Sequence, residues 1–314
     1  MRSRRLRVGV LDVESGNLHG AWLQERLKAH APGLDVDLSA VGPAPRRSGR
    51  SARGERIPLR AFYSEPIYRA LADSQIEVGV HRMKDLPAPL PEGVRIAAVT
   101  QRKTPLDVLV TNDGAILDDL EEQTRLGVSS LRREAQLARY RSDLDLKFIV
   151  GTLSERIAMV EAGKLRGVVV AAAGIEWRGW QDRVAEVFTV QICLPAPAQG
   201  ALGLLVRADD ADTLARLRFL NHTISHQEVE AERAFLEALN AWDGSPVAAL
   251  AQVKGDILRL EGCVCSLGGG EILRDWAEGF PEDAHRTGER LAHKLLDQGA
   301  TKLLEQSRAA AQLE

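Results

Sequence analysis

The sequence predicts an α/β protein of more than one domain, with a smaller α+β part at its C-terminal end. At about 100 to 200 residues per domain, a chain of 314 residues has two or three domains, and 45% hydrophobic residues can supply each with a core. From Leu6 to about Val206, short runs rich in β-branched residues alternate with segments of helical period. Such alternation is typical of parallel strands joined by crossover helices.

Strands are predicted where apolar, β-branched runs are bounded by turn residues. The predicted strands are 7–11, 34–40, 76–81, 94–100, 107–111, 126–129, 146–150, 167–172 and 201–206. Helices are predicted between them where apolar residues recur every three or four positions. The predicted helices are 17–30, 61–73, 131–141 and 152–162. No internal repeat is visible in the sequence.

The last third of the chain changes character. A helix is predicted over 225–240, followed by strands over 249–254 and 257–266 that pair across a tight Gly255-Asp256 turn. Gly268, Gly269 and Gly270 make the next turn, and 271–278 supplies a third strand. Residues 283–305 carry apolar residues at helical spacing and close a separate small α+β domain.

Composition argues against nucleic-acid-binding, disulfide-rich, secreted and membrane proteins. Lys and Arg number 41 against 44 Asp and Glu, a formal net charge of −3, which excludes the overall basic field of a general nucleic-acid binder. Three cysteines are too few for a disulfide framework and favour a reducing compartment, so a cytoplasmic protein is expected. Asp12 and Glu14 interrupt the first apolar stretch, so no signal peptide is expected. The longest apolar run, 167–175, is about half of what spans a bilayer, so no membrane association is expected.

Neither a nucleotide nor a metal is expected from the motifs. Gly163-Lys164 is followed by leucine instead of the serine or threonine of a phosphate-binding loop, and the glycines at 268–270 lack a strand-then-helix context. Cys263 and Cys265 are separated by a single residue, a poor spacing for zinc. His222 and His226 could share one helical face, but without a third ligand they are expected to be surface or capping histidines.

Two predicted strands end in polar residues that suit an anionic ligand. Lys84 and Asp85 follow strand 76–81, and the carboxyl ends of strands are where open α/β sheets bind ligands. Ser129 and Ser130 with the pair Arg132-Arg133 lie where strand 126–129 enters a helix. Free N–H groups, hydroxyls and guanidinium groups together would form an anion cradle there.

The segment from Val41 to Arg60 is predicted to be a surface loop. Prolines, glycines and serines surround six arginines, at positions 46, 47, 50, 53, 56 and 60. Two interpretations stay open: a solvated loop, or a lid that binds a polyanion through the planar guanidinium groups.

With these motifs in view, the chain resembles the porphobilinogen deaminase family, also called hydroxymethylbilane synthase. The similarity lies in six segments that occur in the family's order across nearly the whole chain. They are 81–87 (HRMKDLP), 129–138 (SSLRREAQLA), 171–175 (AAAGI), 194–201 (LPA with QGA), 220–222 (LNH) and 231–234 (AERA).

The resemblance implies an α/β fold of two periplasmic-binding-protein-like domains around a cleft plus a small C-terminal α+β domain. It divides the chain into 1–100 with 197–219, 101–196 and 220–314. Family members join four porphobilinogen units into the linear tetrapyrrole hydroxymethylbilane, releasing ammonia. They do this on a dipyrromethane primer held by a thioether to a cysteine. The family expectation for the oligomeric state is a monomer.

The resemblance also assigns roles to residues. Asp85 matches the catalytic aspartate, whose carboxylate can stabilise the azafulvene cation that forms when porphobilinogen loses ammonia. Each pyrrole carries acetate and propionate, so a growing chain needs cationic partners. The substrate-binding residues implied are Lys84, Ser129, Ser130, Arg132, Arg133, Arg156 and Arg60, the last at a position where the family has a lysine. The arginine-rich loop matches the family's mobile active-site loop, which favours the lid interpretation.

Several family positions are altered. The primer-bearing cysteine aligns with Asp243, which cannot form the thioether, and nearby Ser245 is a poor nucleophile without an activating base. Residues 259–263 look locally like the missing loop, but they match a later strand, so attachment at Cys263 is not expected. Leu11, Val13 and Val150 replace an arginine, a serine and another arginine of the family pattern.

Two functional hypotheses follow. The first is a divergent hydroxymethylbilane synthase that polymerises porphobilinogen for porphyrin biosynthesis without the usual cysteine-linked dipyrromethane. The alternative is a catalytically silent relative that binds a linear tetrapyrrole or another polycarboxylate.

Overall fold

A computed structural model describes residues 5–11, 13–42, 59–241 and 244–313, with the side chains of 59–63 and 310–313 outside that description. The strands are β1 (Arg5–Leu11), β2 (Asp35–Val41), β3 (Val78–Arg82), β4 (Val94–Val99), β5 (Asp107–Thr111), β6 (Arg125–Val128), β7 (Asp145–Phe148), β8 (Gly167–Ala171), β9 (Glu186–Val187), β10 (Leu202–Arg207), β11 (Val247–Lys254), β12 (Ile257–Cys265) and β13 (Ile272–Gly279). The α-helices are α1 (Glu14–His30), α2 (Leu59–Ala72), α3 (Leu131–Tyr140), α4 (Leu153–Glu161), α5 (Ala172–Glu176), α6 (Ala211–Leu217), α7 (Thr223–Ala238), α8 (Ala284–Asp297) and α9 (Ala300–Leu313).

The chain forms two compact units. The first comprises Met1–Arg102 and Ala201–His226, and the second comprises Lys103–Gly200 and Gln227–Glu314. The chain therefore passes from one unit to the other three times. No helix among the described residues is long and apolar enough to span a membrane.

Each unit contains a five-stranded sheet, and the two sheets have the same topology. The first unit has the strand order β2-β1-β3-β10-β4, and the second has β7-β6-β8-β5-β9. In both, three strands run parallel, and the fourth strand in the order is antiparallel to its two neighbours. The sheets are thus mixed, which corrects the expectation of parallel strands alone. The antiparallel strands β5 and β10 each begin a few residues after the chain enters their unit.

The equivalence of the sheets is a structural repeat that the sequence does not reveal. The first strand of each three-strand set leads directly into a helix: β1 into α1, and β6 into α3. These are the positions at which an open α/β sheet presents helix N-termini to a ligand.

The C-terminal part is a three-stranded antiparallel sheet with helices, as the sequence predicts. Its order is β11-β12-β13, and Lys254 pairs with Ile257 across the two-residue Gly255-Asp256 turn. Buried Glu232 of α7 accepts a hydrogen bond from the N–H of Ala251 in β11 at 2.7 Å. The predicted α/β class with a small C-terminal α+β part is confirmed.

The helical spacing over 283–305 corresponds to helices in the structure. The segment forms two helices, α8 and α9, separated at Gln298 and Gly299. Gly299 has a φ of +103°, which residues with a Cβ rarely adopt, so the helix ends there although the apolar spacing continues. The pattern also gave no sign of the short strand β9 or of α5 and α6.

The C-terminal sheet packs against the helix that carries the predicted anion cradle. A buried cluster joins Ala135 of α3 to Ala248, Leu250, Cys263 and Cys265. This packing fixes the back of α3 and so orients the side chains at its N-terminus.

Candidate functional site

The start of α3 uses one of the two predicted serines as a cap. Ser130 is the N-cap residue in extended conformation, and its hydroxyl accepts a hydrogen bond from the backbone N–H of Arg133 at 3.2 Å. This bond satisfies one of the helix's free N–H groups. The role of the Ser130 side chain visible in the structure is therefore to define the beginning of α3.

The hydroxyl of Ser129 lies between two guanidinium groups. Its Oγ accepts from Nη1 of Arg133 at 3.0 Å and from Nη1 of Arg156 at 2.7 Å. A serine hydroxyl has two lone pairs and one hydrogen. Because both lone pairs are occupied, the O–H remains as a donor. Ser129, Arg133 and Arg156, which we call the donor cluster, therefore combine positive charge with hydrogen-bond donors, which suits a carboxylate.

Arg156 is held by the helix next to α3. It lies in the first turn of α4, which starts with a capping box: the Thr152 hydroxyl accepts from the Glu155 N–H, and the Glu155 carboxylate accepts from the Thr152 N–H. A reciprocal cap fixes the direction in which the chain enters the helix. The donor cluster is thus formed by two neighbouring helix starts, α3 and α4.

The two adjacent arginines of α3 have different surroundings. Nη2 of Arg132 lies 2.8 Å from the Asp107 carboxylate, and Nη1 donates to the Leu194 carbonyl at 2.6 Å. Nη2 of Arg133 lies 2.7 Å from the other oxygen of Asp107, while its Nη1 donates to Ser129. Both side chains are at most 5% exposed. Arg132 thus faces the interior, and Arg133 bridges the interior and the donor cluster.

Asp107 is a fully buried carboxylate that sequence reasoning missed. Burial disfavours its ionised form, but the attraction of Arg132 and Arg133 outweighs burial and holds the pKa of Asp107 well below its usual range. One feature of the sequence could have revealed Asp107: it is the single charged residue of strand β5 (DVLVT). A buried charge without a partner is costly, so such a residue predicts a buried cation nearby.

Asp85 lies in the first unit, directly after a buried strand. Residues Met83–Asp85 form a 3-10 turn at the end of β3, and the N–H of buried Met83 donates to the Ala201 carbonyl at 3.0 Å. Nε of Arg82 lies 2.5 Å from Oδ2 of Asp85, whose side chain is 20% exposed. The turn thus holds a partly accessible carboxylate beside a cation, and Lys84 lies in the same turn.

The structure brings part of the predicted site together. Within the second unit, Arg133 and Arg156 both donate to Ser129, and Asp85 and Lys84 share one turn of the first unit. Other predicted positions lie outside the described residues. They are the side chain of Arg60, most of the arginine-rich loop at 43–58, and Asp243.

The start of α1 in the first unit has no side-chain cap. Val13 is the N-cap residue of α1 and makes no side-chain capping bond, whereas Ser130 caps α3 at the equivalent place in the other sheet. Leu11 is the last residue of β1. The first unit therefore has no hydroxyl at the position where the second unit carries its cap. In the second unit, Val150 presents an exposed apolar side chain, 54% accessible, after β7.

The chain's three cysteines are all buried and unpaired. Cys193, Cys263 and Cys265 each have 0% exposure. Cys263 lies within β12, which confirms that residues 259–263 form a strand. Thioether attachment needs an accessible thiolate, so the cysteines present do not fit a covalently held dipyrromethane.

One histidine prediction is confirmed. The backbone N–H of Ser225 donates to Nδ1 of His222 at 3.2 Å, which places this imidazole at the start of α7 as a cap.

Comparison with known proteins decides the family. A model described as "Porphobilinogen deaminase, dipyromethane cofactor binding domain" matches residues 51–215, and one for the C-terminal domain of the same family matches residues 226–297. The chain belongs to the porphobilinogen deaminase family. Members of this family are transferases of porphyrin biosynthesis.

Several curated members of the porphobilinogen deaminase family are similar over almost their whole length. The porphobilinogen deaminase of Pelotomaculum thermopropionicum is 38% identical over 305 residues, covering 97% of each chain. That of Moorella thermoacetica is 38% identical over 304 residues, with the same coverage. That of Syntrophus aciditrophicus is 42% identical over 250 residues, 80% of this chain and 82% of the relative.

Among solved structures, the similarities are distant. The methionine-binding protein MetQ has a TM-score of 0.45 at 13% identity and covers 77% of this chain and 96% of its own. The aliphatic sulphonate binding protein SsuA from Escherichia coli has a TM-score of 0.39 at 14% identity and covers 76% and 70%.

Proposed function

We propose that this chain deaminates porphobilinogen and joins the units head to tail into a linear tetrapyrrole, without a dipyrromethane linked to cysteine. The observation that carries the proposal is the donor cluster of Ser129, Arg133 and Arg156, a cationic, donor-only group of the kind that a polycarboxylate chain requires. Family membership supplies the reaction class, and the chain retains the carboxylate that this reaction needs, Asp85.

The chemistry assigned to Asp85 follows from charge. Loss of ammonia breaks the bond between the aminomethyl carbon and nitrogen and leaves a cationic azafulvene. A fixed carboxylate near the pyrrole N–H stabilises this cation. A ring carbon of the next pyrrole then forms the carbon–carbon bond and loses its proton, which Asp85 can accept or pass to solvent. The guanidinium of Arg82 lies beside this carboxylate, with Nε 2.5 Å from Oδ2 of Asp85.

The donor cluster is assigned to substrate carboxylates. Arg133, Arg156 and the free O–H of Ser129 would hold an acetate or propionate group of the growing chain. We further propose Lys84 and Arg60 as contacts for other carboxylates and Ser130 as the residue that fixes the helix start. Arg132 is assigned an indirect role, because its visible bonds are to interior groups.

No step in this proposal passes through a cysteine-bound group. The three thiols are buried, and the family's attachment position is Asp243 in the sequence. A primer, if one is used, is therefore proposed to be noncovalent. Three domains, with the boundaries predicted from the resemblance, and a monomeric, cytoplasmic protein that binds no nucleic acid remain part of the proposal.

A porphobilinogen assay tests this function. The purified protein is incubated with porphobilinogen, oxidised in acid and read by porphyrin absorbance and fluorescence. We expect porphyrin from the parent protein and none from Asp85→Ala, because the cation loses its stabilising carboxylate. Asp37→Asn is the control, since Asp37 is another carboxylate of the first unit paired with an arginine, Arg5, but on the surface of β2.

The outcome of this assay also distinguishes the proposed enzyme from the second candidate, a protein that only binds a linear tetrapyrrole. Leu11 and Val13 stand where the family pattern has an arginine and a serine, and Val13 gives α1 no side-chain cap. The loss of these two polar groups favours a protein that binds a linear tetrapyrrole without making one. Saturable binding of a porphyrin carboxylate by folded protein that forms no porphyrin would support this second candidate and contradict the first. Full activity of Asp85→Ala would contradict the assigned mechanism.

A further inference from the structure

The interior of the second unit contains an uneven group of charges. The carboxylate of Asp107 is 0% exposed and faces two guanidinium groups, those of Arg132 and Arg133. One positive charge is therefore uncompensated within this buried group. Burying ions is costly unless they are paired and hydrogen-bonded. An uncompensated guanidinium charge in a protein interior therefore indicates a functional role, such as binding an anion.

Both oxygens of Asp107 are fully engaged. Oδ1 accepts from Arg133 at 2.7 Å and from Nε2 of Gln199 at 2.9 Å, and Oδ2 lies 2.8 Å from Arg132. The Cys193 thiol also points to Oδ2 at 3.5 Å. This number of donors fixes the orientation of the carboxylate, and the carboxylate in turn fixes the two guanidinium planes.

The excess charge is directed along Arg133. Arg132 donates to the interior Leu194 carbonyl. Burial lowers the pKa of Arg132, but Asp107 and Cys193 together outweigh burial, so its pKa is raised. Arg133 instead donates to Ser129 through Nη1, and its buried Nε has no hydrogen-bond partner among the residues that the structure describes. A buried guanidinium that is incompletely bonded and lies beside the Ser129 hydroxyl lacks an anion for full compensation.

We infer that Asp107 is a positioning residue for the carboxylate-binding site: it orients Arg133, and through Arg133 the hydroxyl of Ser129, whereas Arg132 is an internal counter-ion that does not contact the ligand. This inference rests on the proposed function for the identity of the ligand. It assigns opposite roles to two adjacent arginines that the sequence motif treats alike.

The test uses two variants that share one substitution. Arg132→Met leaves Asp107 paired with Arg133, so the donor cluster keeps its geometry. Asp107→Asn/Arg132→Met retains one buried positive charge, as in the parent, but removes the carboxylate that orients Arg133. Asp113→Asn is the control, because Asp113 lies just beyond the same strand and forms an exposed ion pair with Arg166 at 2.5 Å.

Binding of uroporphyrin I, a porphyrin polycarboxylate, is measured by tryptophan fluorescence quenching. We expect the Kd of Arg132→Met and Asp113→Asn to stay within about threefold of the parent. The double variant should bind about tenfold more weakly or worse, because removing one partner of a buried charge pair displaces the other. Equal Kd values for Arg132→Met and the folded double variant, or loss of binding in Arg132→Met with Tm retained, would overturn the inference.

A second readout needs no ligand and no activity. In ¹⁵N-labelled protein, the Nη resonances of Arg133 should be resolved in the parent and in Arg132→Met, since rotation about the Nε–Cζ bond is restricted. They should merge in the double variant. If neither variant folds, free rotation of the Arg133 guanidinium in the parent overturns the inference. A parent protein that makes no porphyrin and binds no uroporphyrin contradicts the proposed function, while these resonances still decide the role of Asp107.

Discussion

At the scale of single residues, adjacent arginines of one helix serve different surroundings. Successive residues of an α-helix are about 100° apart around the axis, so Arg132 and Arg133 cannot point the same way. Arg132 donates to the Leu194 carbonyl and Arg133 donates to Ser129, while Asp107 contacts both. The Asp107 carboxylate therefore connects an arginine that bonds only to interior groups with an arginine of the donor cluster.

The reactivity of Cys193 provides a test at this scale. Burial raises the pKa of its thiol to about 12, and the thiolate is the reactive form. At about pH 8, thiolate is then on the order of one molecule in ten thousand. We expect Cys193 to resist iodoacetamide at this pH in the native protein and to react in urea, where its pKa returns to about 8.5.

The measurement is peptide mass spectrometry after timed alkylation. Because the pKa is raised, increasing the pH from about 7 to 9 should leave the native rate at Cys193 low. Rapid labelling of Cys193 in protein of native circular dichroism would contradict the buried environment described.

Sequence reasoning reached some of these residues and missed others for identifiable reasons. Ser129 and the arginine pair stand together at one strand end, so a local pattern was enough to find them. Asp107 is 25 positions before its partner Arg132 and 92 before Gln199, and no local pattern encodes such contacts. The differing directions of Arg132 and Arg133 likewise depend on what packs behind α3.

At the scale of elements, the turn before β13 supports the helix that carries the donor cluster. Gly269 has a φ of +75°, and a Cβ placed there would lie 2.0 Å from the Ala135 carbonyl oxygen of α3. The backbone of this turn thus packs directly on α3. Glycine is needed at 269 for two reasons, the backbone conformation and the close approach.

Substitution of this glycine tests the packing. Gly269→Ala should lower the free energy of unfolding by about 3 kcal/mol or more, from a left-handed alanine at about 1–2 kcal/mol plus overpacking at about 1–3 kcal/mol. Gly268→Ala is the matched control, with a φ of +72° and no described atom beyond its chain neighbours within 4 Å. It should cost only the conformational part. Urea unfolding measures both, and equal costs would contradict the contact with α3.

The boundaries of elements show where periodicity is informative. The strand predicted over 107–111 coincides with β5, because four successive residues of β-forming character, 108–111, stand together there. The segment 283–305 keeps its apolar period across Gly299, so the pattern cannot show that two helices meet there. The backbone conformation of Gly299 determines that the segment breaks into two helices, and apolar periodicity carries no information about that conformation.

At the scale of the whole molecule, two sheets have the same topology but carry different residues at equivalent positions. Both sheets place a strand-to-helix junction at the same position, but α3 begins with a capping serine and α1 with Val13. The repeat is invisible in the sequence because it resides in strand order, and β5 and β10 join their sheets after the chain changes unit. Fold class was predictable from alternation, whereas the pairing of distant strands was not.

The central claim is turnover of porphobilinogen by a chain that carries no cysteine-linked primer. The most direct test is intact mass spectrometry of the acid-denatured protein, taken as purified and during porphyrin-forming turnover. We expect the mass of the polypeptide alone in both samples while porphyrin accumulates. A mass increment equal to a dipyrromethane on the protein, or no porphyrin from folded protein, would contradict it.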